Sequence, residues 1–122
     1  LAGAFFSVEK GGIPMHLIED ESKLRAIIQE KSMTAVLFSD AACNVCLSIY
    51  PELEALEKVY PEMYFVTVDV AKMQKVVGEH LIFVYPTLIV FAMGKETKRF
   101  ERVFSMQDVE SGIQRYYDMI FS

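Results

Sequence analysis

Thr34-Ala35-Val36-Leu37-Phe38 runs without a single charged or alternating polar position. A strand with one wetted face would alternate, so this run predicts a strand buried on both sides, as in a parallel sheet covered by helices. After Ser39-Asp40-Ala41-Ala42 the rhythm changes. Cys46, Ile49, Leu53, Leu56 and Tyr60 recur at steps of three and four, the period of an amphipathic helix. A buried strand feeding a helix through a short loop is half of a βαβ unit, which points to an α/β class. The chain has 122 residues, enough for one domain. Its 52 % hydrophobic content, with nine Phe and seven Met, can bury a sizeable core and excludes disorder as the main state.

The remaining sequence fits the same class. Residues 1–14 show no clear period and read as an N-terminal arm without assigned function; the domain is expected over 15–122. Met15–Ile18 predicts a short strand, and Asp20 or Ser22 caps a helix to about Lys31 with Leu24, Ile27 and Ile28 on one face. Pro51 should kink the long helix and Pro61 close it. Tyr64–Val70 predicts a strand and Ala71–Val77 a short helix stopped by Gly78. Leu81–Tyr85 leads into Pro86, and Thr87–Phe91 is a further strand. Met93-Gly94-Lys95-Glu96 turns the chain so that Lys98–Phe104 returns antiparallel. Ser105 with Asp108 resembles a capping box, opening a last helix with Val109, Ile113, Tyr116 and Ile120 inward. The order is β-α-β-α-β-α-β-β-α.

Composition removes several function classes. The net charge is −5 and no basic run exists, so phosphate neutralisation, and with it nucleic-acid binding, is not expected. No apolar stretch approaches the roughly 20 residues of a membrane-spanning helix. Two cysteines are too few for a disulfide-stapled scaffold.

Those two are Cys43 and Cys46, in Cys43-Asn44-Val45-Cys46. Three readings compete. A dithiol that opens and closes as a disulfide needs both sulfurs on one helical turn, which this spacing at a helix start supplies. A zinc site needs four ligands, and beyond the two Cys only the distant His16 and His80 are available. The third reading is two small buried residues packed in a core.

The surroundings of the pair resemble the thioredoxin family over about residues 15–121. The buried strand running into Cys43-Asn44-Val45-Cys46, Pro51 five residues past the second cysteine, and Tyr85-Pro86-Thr87 about forty residues past Cys46 carry the likeness. Met93-Gly94-Lys95 matches the family's hairpin turn. The resemblance implies a thioredoxin fold, a central mixed β-sheet flanked by helices. It also implies a thiol–disulfide oxidoreductase acting on protein disulfides with a thiol reductant or reductase as partner and no organic cofactor. At the helix start, Cys43 faces unpaired backbone N–H groups and the positive end of the helix dipole, which favour a thiolate. Cys43 is therefore the expected nucleophile and Cys46 the resolving thiol. Most X-Pro bonds are trans, so the cis geometry expected at Pro86 comes from the resemblance alone. A cis Pro86 would lie beside the sulfurs and leave the Tyr85 N–H and C=O to pair with an extended substrate. Without the resemblance, Pro86 reads as an edge-strand proline.

Departures from the family are informative. Ala42 stands where thioredoxins carry a Trp, in the substrate-facing set with Tyr85 and Pro86. Asn44-Val45 replaces Gly-Pro, and the chain has no Trp. The buried Asp that relays a proton from the resolving thiol is replaced by Leu37, and its Lys partner by Phe65. Loss of both should leave packing unharmed and slow the deprotonation of Cys46. Asp40 is the nearest acidic residue, with a capping or solvated role expected. His16 is expected on a strand and His80 in a loop; Lys95, Lys98, Arg99 and Arg102 read as a solvated, edge-protecting cluster. The alternative to an enzyme is a thioredoxin-fold binding module with idle cysteines. The cytosol is the default compartment, although such a dithiol also serves outside it.

Overall fold

The computed structural model describes residues 16–40 and 43–122, with the backbone alone at Asn44 and Val45. The expected arm over 1–14 lies outside these residues, as do Met15 and Ala42. In chain order the elements are β1 (Leu17–Ile18), α1 (Glu21–Glu30), β2 (Met33–Ser39), α2 (Asn44–Val59), β3 (Tyr64–Asp69), α3 (Gln74–Glu79), β4 (Thr87–Ala92), β5 (Lys95–Glu101) and α4 (Met106–Phe121). The sheet order is β1-β3-β2-β4-β5. β1, β3 and β2 run parallel; β4 is antiparallel to β2, and β5 to β4. The apolar run at 34–38 is the doubly covered central strand that its sequence predicts, and the mixed sheet flanked by helices is the one the resemblance implies.

Every residue of β2 and β4 is buried, because each strand has a neighbour on both edges and helices on both faces. Alternate residues of β2 divide between two cores. Met33, Ala35 and Leu37 pack with Ile49, Leu53 and Leu56 of α2 and with Val109 and Ile113 of α4. Val36 and Phe38 pack with Leu24 and Ile28 of α1 and Val76 of α3. Each fully buried aliphatic side chain contributes about 1.5–3 kcal/mol, so the two layers together hold the end of β2 rigidly.

The caps follow the sequence chemistry. The Asp20 carboxylate accepts from the Ser22 hydroxyl at 2.7 Å and from the N–H groups of Ser22 and Lys23 at 2.8 and 3.3 Å, and these bonds, the hydroxyl's foremost, hold its pKa below the ordinary value. Ser105 Oγ accepts from the Asp108 N–H at 3.0 Å and starts α4. Pro51 lies inside α2; its missing N–H leaves the Leu47 carbonyl without a helical donor, the physical ground for the kink expected there.

Four expectations need correction. The helix read as Ala71–Val77 begins later and runs through Gly78. The Asp69 carbonyl and carboxylate take the N–H groups of Lys72 and Ala71, at 3.0 Å each, and hold the preceding residues in a turn. β5 stops at Glu101 rather than Phe104, because Arg102 adopts φ 63° and its N–H donates back to the Pro86 carbonyl at 2.7 Å. His16 precedes β1 in a left-handed conformation, φ 49°, with Nε2 2.7 Å from Glu57 Oε2. Arg99 is not simply solvated: its guanidinium holds both Glu96 oxygens and the carbonyls of His80 and Leu81. It thereby ties the segment before Pro86 to the hairpin.

Candidate functional site

The register of the sheet assembles the site. Phe38 pairs with Thr87 and Ser39 with Asp69, so the ends of β2 and β3 and the start of β4 lie at one end of the sheet. The chain leaves β2 at Ser39, and the Cys43 N–H donates to the Asp40 carbonyl at 2.9 Å. Cys43 is the N-cap of α2, with extended backbone at φ −92° and ψ 109°. Its Sγ accepts from the Cys46 N–H at 3.1 Å, and its carbonyl takes the first helical bond from Leu47 N–H at 3.3 Å. A sulfur in the N-cap position meets an otherwise unpaired amide hydrogen and the positive end of a helix of 16 residues.

Cys43 and Cys46 are joined by a disulfide with Cα atoms 5.3 Å apart. Burial separates their roles. Cys43 is half-buried, whereas Cys46 is 0 % exposed. Of the two sulfur-bearing residues, only Cys43 is open to solvent. Among the described residues, no group of three or more His, Cys, Asp or Glu is placed to hold a metal ion.

On the facing loop the Tyr85–Pro86 peptide is cis. The Pro86 carbonyl is engaged by Arg102, and Thr87 Oγ1 donates to the Val84 carbonyl at 2.8 Å. Tyr85 is 39 % exposed, and neither its N–H nor its C=O bonds to a described residue. Phe83 and Val103 are more exposed still, at 78 % and 87 %. The free backbone at Tyr85 is the one the resemblance implies; the exposed apolar side chains beside it were not legible from sequence spacing.

Leu37 and Phe65 are both buried in the core beneath α2, so no carboxylate or ammonium stands at either position. The polar atoms of this layer are elsewhere. Ser39 Oγ and Tyr50 Oη share a buried hydrogen bond of 2.9 Å. Burial pushes the Tyr50 phenol above its ordinary pKa, the bond to Ser39 opposes this, and the charge of Asp69 adds to the rise. Sequence reasoning missed this pair. The signal was present: Ser39 shares the strand face of Leu37, and Tyr50 follows Cys46 by four residues. His80 serves packing on the opposite layer, its ring 6.0 Å from Phe38 and 5.5 Å from Phe91, and burial lowers its pKa.

Comparison with known proteins agrees with this geometry. The family model described as Thioredoxin matches residues 15–115. An H-type thioredoxin of Picea mariana is 36 % identical over 74 residues, 61 % of this chain and 59 % of that protein. The match thus spans under two thirds of that relative's length. A thioredoxin of Echinococcus granulosus is 34 % identical over 77 residues, 63 % of this chain and 72 % of the relative. The X-ray structure of Fasciola hepatica thioredoxin superposes with a TM-score of 0.76 at 29 % identity, covering 84 % of this chain and 99 % of that one.

Proposed function

The chain belongs to the thioredoxin family, and on that premise we propose that it is a thiol–disulfide oxidoreductase acting on protein disulfides through Cys43 and Cys46. One observation carries the reading: a partly exposed sulfur caps α2 and accepts the Cys46 N–H at 3.1 Å, with a fully buried second sulfur one turn behind it. The amide hydrogens and the helix dipole favour the Cys43 thiolate over the thiol. That thiolate attacks a substrate disulfide, forming a bond to one sulfur and expelling the other as a thiolate. Cys46 then loses its proton to the departing thiolate, attacks Cys43 Sγ and displaces the second substrate sulfur. The substrate gains two electrons, and Cys43 and Cys46 are left as the disulfide. A thiol reductant or reductase restores the dithiol; no organic cofactor takes part.

The cis turn supplies the docking edge in this reading. An extended substrate segment pairs with the free N–H and C=O of Tyr85, as in strand addition, and lies along Pro86 beside the sulfurs. Ala42, next to Cys43 in sequence, stands where the family has an indole. No helix among the described residues is long and apolar enough to cross a membrane. A cytosolic setting, where the dithiol is kept reduced and acts as a reductant, is the compartment taken here.

Dithiothreitol-driven insulin reduction tests the proposal. The wild type should accelerate precipitation of the insulin B chain, and Cys43→Ala should fall to background. Background turbidity from both proteins refutes the enzyme reading, and a stable partner complex indifferent to loss of both cysteines establishes a binding module instead.

A further inference from the structure

We propose that the buried hydroxyl pair of Ser39 and Tyr50 positions and stabilises the resolving sulfur of Cys46, a task that falls to it because Leu37 and Phe65 leave no charge beneath the dithiol. The inference rests on the dithiol reading above. Tyr50 follows Cys46 by four residues on α2, and both are buried, at 2 % and 0 % exposure. They therefore share one helix face, with Cβ atoms about 5–6 Å apart. Long side chains on a helix lean back toward its N-terminus, over the preceding turn. The ring of Tyr50 is thus carried toward Cys46 and away from the Pro51 end. Ser39 completes the placement. It ends β2 immediately before the segment leading to Cys43, and its Oγ holds Tyr50 Oη at 2.9 Å.

The pair is also the polar resource that this layer offers. Among the described residues the buried polar side chains are Thr34, Ser39, Thr67 and Thr87, and Tyr50 is the titratable group on the inner face of α2 next to Cys46. The charge that bears on the phenol is that of Asp69, level with Ser39 on β3; Asp40 follows Ser39 in the chain.

A neutral phenol is a hydrogen-bond donor and a poor base at neutral pH. Its contribution therefore differs in kind from that of a carboxylate. It does not take the Cys46 proton, which passes to the substrate thiolate released in the first step. Once Cys46 is a thiolate, Tyr50 O–H donates to it while the Ser39 hydroxyl rotates to donate to Tyr50 Oη. Cys46 Sγ then forms its bond to Cys43 Sγ, and the Cys43–substrate bond breaks. Tyr50 acts through Cys46 and is a positioning residue.

Two readouts on the full chain test this. In a Cys43→Ser background, thiolate absorbance near 240 nm reports the titration of Cys46. A hydrogen bond to a charged group corresponds to about one to two pH units. Adding Tyr50→Phe should raise the midpoint by that amount, and Ser39→Ala should raise it less. In the protein with both cysteines, Tyr50→Phe should slow release from the mixed disulfide about tenfold at neutral pH. Formation of the mixed disulfide by Cys43 should be unaffected. Unchanged titration and release in folded Tyr50→Phe overturn the inference; should that variant not fold, the absence of any shift in Ser39→Ala overturns it. Failure of the wild type to form a mixed disulfide overturns the dithiol reading and this inference with it, whereas normal formation with unchanged release overturns this inference alone.

Discussion

Restoring an acid at Leu37 should damage the protein in a pH-dependent way. Leu37 is fully buried, paired with Leu88 across β4 and with Thr67 across β3, and Phe65 lies two residues along β3 on the same face. Leu37→Asn removes the apolar contacts at a cost of about 3 kcal/mol, the middle of the range for buried leucine. Leu37→Asp costs a similar amount while its carboxyl is protonated and more once it ionises. Desolvation without a cation raises the folded-state pKa of the new carboxyl by about 3 units from about 3.9. At 1.36 kcal/mol per unit this is about 4 kcal/mol. The sign follows from proton binding. The unfolded chain releases the proton first, so the stability of Leu37→Asp falls as pH rises from about 4 and levels off above about 7. Against a typical total of about 5–15 kcal/mol, the variant should be close to unfolded at pH 8. Urea unfolding of both variants at pH 4, 6 and 8 should show curves that coincide in acid and part by about 4 kcal/mol in base. Adding Phe65→Lys should close most of the gap by pairing the charge. A gap independent of pH would refute the view that this layer is dry and uncharged.

Two further outcomes are expected. In the reduced protein Cys43 should alkylate at least about tenfold faster than Cys46 at neutral pH, because it is only half-buried at the helix mouth and Cys46 is sealed; equal rates by peptide mass spectrometry contradict the dipole argument. The Arg99 guanidinium holds the Glu96 carboxyl below its usual range. A depressed folded pKa means stability present above the unfolded value and lost as pH falls through the folded one. The stability advantage of wild type over Glu96→Gln should therefore shrink between about pH 5 and pH 3, and an advantage that persists in acid denies the pair any role.

Much of this protein was legible before its structure, and the legible part was local. The unbroken apolar run of β2 requires cover on both faces whatever the partners are. The stripe of α2 requires a helix, and Asp20 and Ser105 announce helix starts by their own side-chain chemistry. The two cysteines needed only their spacing and the helix behind them to suggest a dithiol. Two errors show the two ways a local reading fails, one within a helix and one across the sheet. Gly78 suggests a helix stop, yet the His80 N–H donates to Val76 O and α3 continues past it. The pattern of residues 98–104 extends the last strand to Phe104, but the bond from Arg102 to Pro86 ends β5 earlier.

The candidate site divides in the same way. Chain chemistry alone placed Cys43 at a helix mouth, since neighbours along a helix meet by its pitch. Only the register of β2 against β3 and β4 could bring Ser39 beside Asp69 and level with the turn at Pro86. The bond from Ser39 to Tyr50 likewise depends on how α2 lies across the sheet, a matter of packing many side chains at once that no short stretch of sequence encodes. Local pattern chose the elements and the reactive pair; long-range packing decided which atoms surround it.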